Sequence, residues 1–202
     1  MRGKLIIIEG GEGCGKTSQA KALVEYLNSK GINSEYCREP GSVPEAEKIR
    51  SILLDKENNL HDLSEVYLFQ AARAEFYDKI VLPKLNQGIN LVSDRSGIST
   101  LAYQGYAGGQ DLKLIKELNN HSTFGIESDL VIIIDVDTTK GLSKEQDPDR
   151  FAAKGKDYHK KVHEGYLAVA KEIGAFILNY EEGEFNEMQN EIRKQVDELF
   201  EK

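Results

Sequence analysis

A glycine-rich segment near the start of the chain has the residue types and the spacing of a phosphate-binding loop. Residues 10–17 are Gly-Gly-Glu-Gly-Cys-Gly-Lys-Thr, directly after the apolar run Leu5 to Ile8. A buried strand that leads through such a turn into a helix gathers backbone N–H groups around one point, which favours a polyphosphate. We expect Lys16 to reach the β- and γ-phosphates, and the Thr17 hydroxyl to bind the Mg²⁺ that bridges them. An ordinary glycine-rich turn is the alternative.

The residues that follow this loop support the phosphate-binding interpretation. Apolar side chains recur with helical spacing from Ala20 to Leu27, and Gly31 marks the end of the predicted helix. The predicted ATP-binding residues are Gly10, Gly11, Glu12, Gly13, Cys14, Gly15, Lys16, Thr17 and Ser18.

A second group of chemically useful residues follows the predicted strand Ile89 to Ser93. Asp94 is placed to hold a water of the Mg²⁺ shell, and Arg95 to clamp an acceptor phosphate and neutralise charge during transfer. Asp135 competes for the metal role because it also follows an apolar strand. We favour Asp94, since only this Asp has a phosphate-binding Arg beside it. A strand-end ion pair between Asp94 and Arg95 is the structural alternative.

Two further groups give weaker signals. Arg38 ends the second predicted strand and is followed by Pro40 and Gly41, a turn that would aim Arg38 into the cleft. Phe69 and Arg73 are four residues apart on a predicted helix and therefore share a face. An aromatic ring and a guanidinium in that arrangement can stack on a base and bind its carbonyl oxygen. A core Phe beside a surface Arg is the alternative.

The element pattern predicts an α/β fold of the P-loop NTPase type. Its parallel five-stranded sheet has helices on both faces, and ligands gather beyond the carboxyl ends of the strands. The polar stretch 138–156 is interpreted as a short lid, or alternatively as a solvated loop, within a single domain that spans residues 1–202. The predicted strands are Leu5 to Ile8, Ser34 to Cys37, Ile89 to Ser93, Asp129 to Val136 and Gly174 to Leu178.

Composition narrows the classes of partner. The chain has 202 residues, 40% of them hydrophobic, and a formal net charge of −8, which argues against nucleic-acid and membrane-surface partners. Its two cysteines, Cys14 and Cys37, lack metal-like spacing, so we expect reduced thiols in a cytoplasmic protein. We find neither a targeting signal nor an apolar run long enough to span a bilayer.

Taken together, these motifs resemble those of thymidylate kinases, the P-loop enzymes that transfer the γ-phosphoryl group of ATP to dTMP. The resemblance covers nearly the whole chain. It rests on Glu9 to Thr17, Arg38 to Gly41, Phe69 to Arg73, and Asp94-Arg95 followed by Ser99 to Gly105.

The resemblance implies a role for each matched residue, with Mg²⁺ as cofactor, ATP and dTMP as substrates, and a homodimer. Phe69 would stack on thymine, while Glu12 and Tyr103 would surround the deoxyribose 3'-OH. The remaining implied dTMP contacts are Arg73, Thr100 and Gln104 at the base edge, and Arg38 and Arg95 at the phosphate, assisted by Arg50.

The chain also departs from the family pattern. Gly13 stands where one branch of the family has an Arg, so the chain resembles the bacterial branch, in which the lid supplies the catalytic Arg. The clearest cations of the lid are Lys144 and Arg150. We expect Arg150 to join Lys16 and Arg95 as a catalytic residue unless Asp149 ties it into a structural pair.

Two other classes of function remain as alternatives. One is another, or a degenerate, nucleoside monophosphate kinase. The other is a P-loop nucleotide switch, although the sequence contains no Asn-Lys-x-Asp segment of the kind that reads guanine.

Overall fold

A parallel five-stranded sheet forms the centre of the molecule. The computed structural model describes residues 2–136, 149–179 and 185–201. The strand order is β2-β3-β1-β4-β5, with every neighbouring pair parallel. The predicted strands agree with these bounds to within two residues. The strands are β1 (Leu5–Gly10), β2 (Ser34–Arg38), β3 (Asn90–Asp94), β4 (Leu130–Asp135) and β5 (Phe176–Asn179).

The helices connect these strands. Two π-helical segments, Tyr77–Val81 and Leu101–Ala107, extend α3 and α5 respectively, and a 3-10 turn at Ala152–Lys154 precedes α7. The helices are α1 (Lys16–Ser29), α2 (Pro44–Leu54), α3 (Asp62–Phe76), α4 (Leu82–Asn86), α5 (Gly97–Thr100), α6 (Leu112–Ser122), α7 (Lys156–Ile173) and α8 (Phe185–Glu201). None of the helices in the described ranges combines the length and hydropathy that crossing a membrane requires.

Successive side chains along each strand point to opposite faces of the sheet, so the core has two layers. Leu5 and Ile7 of β1 pack on one face of the sheet, against α3, the segment Leu101–Ala107 and α7. Ile6 and Ile8 pack on the other face, against α1 and α8. A strand buried on both sides is apolar throughout, which is typical of parallel sheets, and the prediction of helices on both faces is confirmed.

Strand register brings the predicted site residues to one edge of the sheet. Asp94 of β3 is paired with Ile8 of β1 on one side and with Arg38 of β2 on the other. The phosphate loop continues from β1, and Arg95 continues from β3. All of these residues therefore lie at the carboxyl edge, where ligands bind in open α/β sheets.

Candidate active site

One cavity, of about 450 Å³, connects the glycine-rich loop with the ends of β2 and β3, α3 and the segment Leu101–Ala107. Such a volume suits a small-molecule ligand. Most of the sequence-predicted residues line it. They are Glu12, Gly13, Gly15, Lys16, Thr17, Arg38, Arg50, Phe69, Arg73, Asp94, Arg95, Thr100, Tyr103 and Gln104.

The glycine-rich loop has a backbone that requires glycine. Gly13 and Gly15 have left-handed φ angles of 66° and 86°, and α1 begins immediately afterwards at Lys16. A Cβ atom at Gly10 would lie 2.6 Å from the Ile134 carbonyl oxygen. Such a close backbone turn at a helix N-terminus directs N–H groups at a bound anion.

Lys16 is held within this loop. Its Nζ donates to the Gly11 carbonyl oxygen at 2.6 Å and lies 3.7 Å from the Cys14 Sγ. The residue is only 6% exposed. The hydrogen-bond partners of this buried ammonium among the described residues are a carbonyl oxygen and a thiol, and a phosphate oxygen would be a stronger partner than either.

The metal assignment can be tested against the donor atoms. The Thr17 hydroxyl donates to the Asp94 carboxylate at 2.5 Å, which places a hydroxyl oxygen and a carboxylate together at the base of the loop. Asp135 instead lies 2.5 Å from His163. Hard oxygen ligands fit Mg²⁺, which is commonly bound by one or two protein ligands plus substrate phosphates. Within the described ranges we find no cluster of three His, Cys, Asp or Glu residues that would suit another metal.

Arg95 does not form the strand-end ion pair with Asp94 that the sequence left open. Its Nη2 donates to the Glu12 Oε1 at 2.8 Å, and its Nη1 donates to the hydroxyls of Ser99 and Tyr166, both at 3.2 Å. Tyr103 donates its hydroxyl to the same Glu12 oxygen at 2.6 Å. The Arg95 guanidinium is thus hydrogen-bonded to Glu12, a residue of the phosphate loop.

Electrostatics fix the protonation states in this cluster. Burial raises the pKa of Glu12, but the charges of Arg95 and Lys16 outweigh it and lower that pKa to about 2. Burial, with the Glu12 carboxylate nearby, raises the pKa of Tyr103 well above its usual value of 10.0. At neutral pH Glu12 is therefore a carboxylate, and Tyr103 is a neutral hydrogen-bond donor.

Glu9, to which the sequence analysis gave no role, accepts hydrogen bonds from Ser99 and Tyr166, the residues that contact Arg95. It is fully buried, and its carboxylate accepts from the backbone N–H of Ser96 at 2.7 Å and of Ser99 at 3.1 Å. It also accepts from the hydroxyl of Ser99 at 2.8 Å and that of Tyr166 at 3.2 Å. A charged residue at the end of an otherwise apolar strand was the available signal, because a buried carboxylate needs several donors.

A group of guanidinium groups faces the cavity from the β2 side. Arg38 pairs with Glu47 at 2.9 Å, and Arg50 donates to the Pro40 carbonyl oxygen at 3.1 Å. Burial, together with the neighbouring charge of Arg38, lowers the pKa of Arg50. Like charges that are partly desolvated together favour an anion between them, and a phosphate is such an anion.

Arg73 is not a surface residue. It is 2% exposed, and its Nε donates to the Glu39 carboxylate at 2.6 Å. Its Nη1 donates to Gln70 and Asn119, both at 2.8 Å, and its Nη2 to the Thr100 hydroxyl at 3.1 Å. Four of its five N–H donors are thus used by described residues. The structure therefore corrects the alternative of a core Phe beside a surface Arg, since Phe69 and Arg73 both line the cavity.

Arg150, predicted as a catalytic residue, forms contacts that the sequence did not indicate. Asp149 does not pair with it but accepts the backbone N–H groups of Phe151 and Ala152. Arg150 instead donates to the Glu65 carboxylate at 2.5 Å and to the Leu53 carbonyl oxygen at 3.0 Å. Its side chain is not among those that line the cavity. The structure thus places this guanidinium on α2 and α3, where buried Glu65 neutralises it, and not beside Lys16. Lys144 and residues 138–148 of the expected lid lie outside the described residues.

Several cavity residues were missed by the sequence analysis. Phe151 packs its ring 5.8 Å from that of Phe69, at 48°, and lines the cavity with Asp149. Tyr36 also lines it, and its hydroxyl lies 3.4 Å from the Asp94 carboxylate. No local pattern marks Phe151, because it follows a polar stretch and reaches the site through the tertiary fold.

Comparison with known proteins identifies the family. The model of the family described as thymidylate kinase matches residues 8–192. A thymidylate kinase of Thermoanaerobacter sp. (strain X514) is 40% identical over 175 residues, 86% of each chain. One of Dehalococcoides mccartyi (strain ATCC BAA-2100 / JCM 16839 / KCTC 5957 / BAV1) is 40% identical over 167 residues, 81% of this chain and 80% of that one. The crystal structure of thymidylate kinase from Ehrlichia chaffeensis superposes with a TM-score of 0.82 at 32% identity, covering 98% of this chain and 100% of that one. The chain therefore belongs to the thymidylate kinase family.

Proposed function

We propose that this protein transfers the γ-phosphoryl group of ATP to dTMP, giving dTDP and ADP. The observation that carries the proposal is that one cavity joins a phosphate loop to a second pocket with guanidinium groups and an aromatic ring. A nucleotide switch needs no such second pocket, whereas a kinase must hold donor and acceptor phosphates side by side.

The donor side of the reaction rests on the phosphate loop. Residues 10–18 hold the ATP phosphates, and Lys16 stabilises the charge that develops during transfer. Thr17 and Asp94 would hold Mg²⁺, which supplies further charge neutralisation when bound. Their direct hydrogen bond supports this assignment, since it brings the two oxygen ligands together.

The binding of the acceptor, dTMP, depends on three arginines at its phosphate and on two side chains at its sugar. Arg38, Arg50 and Arg95 hold the dTMP phosphate, and Arg95 stays with the phosphoryl group as it moves. Glu12 and Tyr103 bind the 3'-OH. The hydrogen bond between these two residues supports this role, because a hydroxyl that both donates and accepts fits between a carboxylate and a phenol.

The base end of the cavity fits a planar pyrimidine. Phe69 stacks on thymine, and the neighbouring ring of Phe151 completes an apolar wall. Arg73, Thr100 and Gln104 face the base edge, and the one N–H of Arg73 that no described residue accepts would donate to a carbonyl oxygen of the base.

We also propose a homodimer and a cytoplasmic location. The homodimer follows from the family resemblance, and sedimentation of the purified protein would measure it. The cytoplasmic location is supported by Cys14 and Cys37, which are both buried free thiols.

The test is a coupled assay of ADP production with a panel of nucleoside monophosphates. We expect dTMP to be the best substrate. We expect dUMP to be slower by roughly 10- to 200-fold, since one methyl group in a hydrophobic pocket contributes about 1 to 3 kcal/mol. Equal rates with AMP or GMP, or no reaction with dTMP, would refute the proposal.

A further inference from the structure

Only one end of the Gln104 side-chain amide forms a hydrogen bond with a described residue. The residue is 2% exposed, and its amide nitrogen Nε2 donates to the Glu65 Oε2 at 3.1 Å. Its amide oxygen Oε1 is buried and accepts no hydrogen bond from any described residue. Gln104 also lines the cavity, whereas Glu65 does not. A buried carbonyl oxygen without a donor is costly, so a ligand N–H is the expected partner.

Glu65 determines which end of this amide is available to a ligand. Glu65 is 1% exposed, and its Oε1 is held by Arg150 at 2.5 Å and by Lys154 at 3.6 Å. Glu65 forms ion pairs with both cations, and a carboxylate in such pairs accepts hydrogen bonds and donates none. If the Gln104 amide turned over, its oxygen would face the carboxylate at hydrogen-bond distance. Such a contact between two acceptors is repulsive, so the amide keeps its nitrogen towards Glu65.

We propose that Glu65 is a specificity-determining positioning residue, which fixes the Gln104 amide so that an acceptor faces the base. A base whose ring nitrogen carries a hydrogen, as in thymine or uracil, satisfies this acceptor. Cytosine presents a ring nitrogen without a hydrogen at the corresponding position and leaves two acceptors facing each other. Arg150 and Lys154 contribute indirectly, because their ion pairs with Glu65 hold its carboxylate in place. The inference rests on the proposed function, because it assigns the selectivity of the same base site.

The decisive variant is Glu65→Gln, which keeps the size of the side chain and gives it a donor as well as an acceptor. Gln104 can then turn over and present N–H to the ligand. Dissociation constants for dTMP and dCMP are measured by calorimetry without ATP, so that catalysis plays no part. We expect the ratio of the dCMP constant to the dTMP constant to fall at least tenfold, since an unpaired buried polar group carries a large penalty.

The matched control is Glu75→Gln, the same change on the same helix, at a partly exposed Glu that pairs with Lys79. We expect this control to keep the wild-type ratio. Glu65→Gln leaves the Arg150 guanidinium with a weaker partner, which reduces the stability of the fold. A second variant, Glu65→Met/Arg150→Met, avoids this problem because it removes both buried charges together. It frees the Gln104 amide in the same way, and its ratio must also fall. Thermal unfolding identifies which variants are folded.

The outcomes separate this inference from the proposed function. A wild-type protein that prefers dTMP over dCMP, with folded variants that keep the same ratio, would overturn the role of Glu65 and leave the kinase assignment intact. Equal loss of affinity for both nucleotides would mean that Glu65 only supports the fold, and would overturn it as well. A wild-type protein that does not bind dTMP would overturn the function itself.

Discussion

The charge cluster at Glu12 gives the most quantitative test of the site. Glu12 accepts from Arg95 and Tyr103, and its pKa is lowered from 4.5 to about 2. At about 1.4 kcal/mol for each tenfold change in proton affinity, this difference amounts to about 3 kcal/mol of folding stability at pH 7. The side chain is only 14% exposed, so solvent screening leaves most of this contribution in place.

Because the pKa of Glu12 is lowered on folding, its contribution to stability decreases as the pH falls. A carboxyl group whose pKa is lower in the folded state contributes fully above its unfolded pKa of 4.5 and loses that contribution as the pH falls towards 2. With these values the contribution is about 3 kcal/mol at pH 5 and about 2 kcal/mol at pH 3.5. Glu12→Gln removes it, so the stability difference between wild type and variant must shrink on acidification.

Urea unfolding of both proteins between pH 7 and pH 3.5 measures this difference. Glu172→Gln is the control, because Glu172 pairs with Lys116 on the surface, where an ion pair contributes about 1 kcal/mol or less. We expect a pH-dependent loss in Glu12→Gln that is several times larger than in the control. A difference below about 1 kcal/mol, or one that stays constant over this range, would refute the assignment of Glu12 as a largely buried carboxylate held by Arg95.

Three further variants test the proposed roles by separating turnover from dTMP affinity. Lys16→Ala should lower kcat by roughly 100-fold or more and change dTMP affinity little, since Lys16 acts on charge that develops in transfer; steady-state kinetics that show the opposite pattern would remove it from the chemistry. Arg95→Ala should weaken dTMP binding at least tenfold and also lower kcat, and normal affinity by calorimetry would contradict its phosphate contact. Arg150→Ala should raise the dTMP dissociation constant more than it lowers kcat, because Arg150 holds Glu65; a loss confined to kcat would mean that this guanidinium reaches the reacting phosphates after all.

The fold and the phosphate loop could be predicted because their signals are local. The apolar runs define the strands, and the spacing from Gly10 to Thr17 places the loop at the start of a helix regardless of the rest of the chain. The metal position was harder. Asp94 and Asp135 both follow apolar strands, and they differ in their partners. Asp94 accepts from the Thr17 hydroxyl, whereas Asp135 contacts His163, which lies 28 residues further along the chain. Such a contact leaves no trace in a local pattern.

Partners of long charged side chains were the least predictable feature. The sequence left Arg95 open to a pair with Asp94, and Arg150 open to a pair with Asp149. The structure joins Arg95 to Glu12 and Arg150 to Glu65, partners 83 and 85 residues away. A long, flexible guanidinium can reach carboxylates that are far away in the sequence, and it forms charge-assisted hydrogen bonds with those that the fold brings into suitable geometry. Which carboxylate is buried nearby depends on the whole fold.

The placement of Arg150 also bears on which cation we expect to serve the reacting phosphates in the proposed reaction. With Gly13 in the loop and Arg150 occupied by Glu65, the cations that line the cavity in the described part of the chain are Lys16, Arg38, Arg50, Arg73 and Arg95. Arg73 is used by Glu39 and the base site, whereas Arg38 and Arg50 are anchored on the β2 side. Arg95 alone among these guanidinium groups is bonded to a side chain of the phosphate loop. In the proposed reaction we therefore expect Arg95 to lie between the donor and acceptor phosphates, where the transferring phosphoryl group would replace Glu12 as its partner.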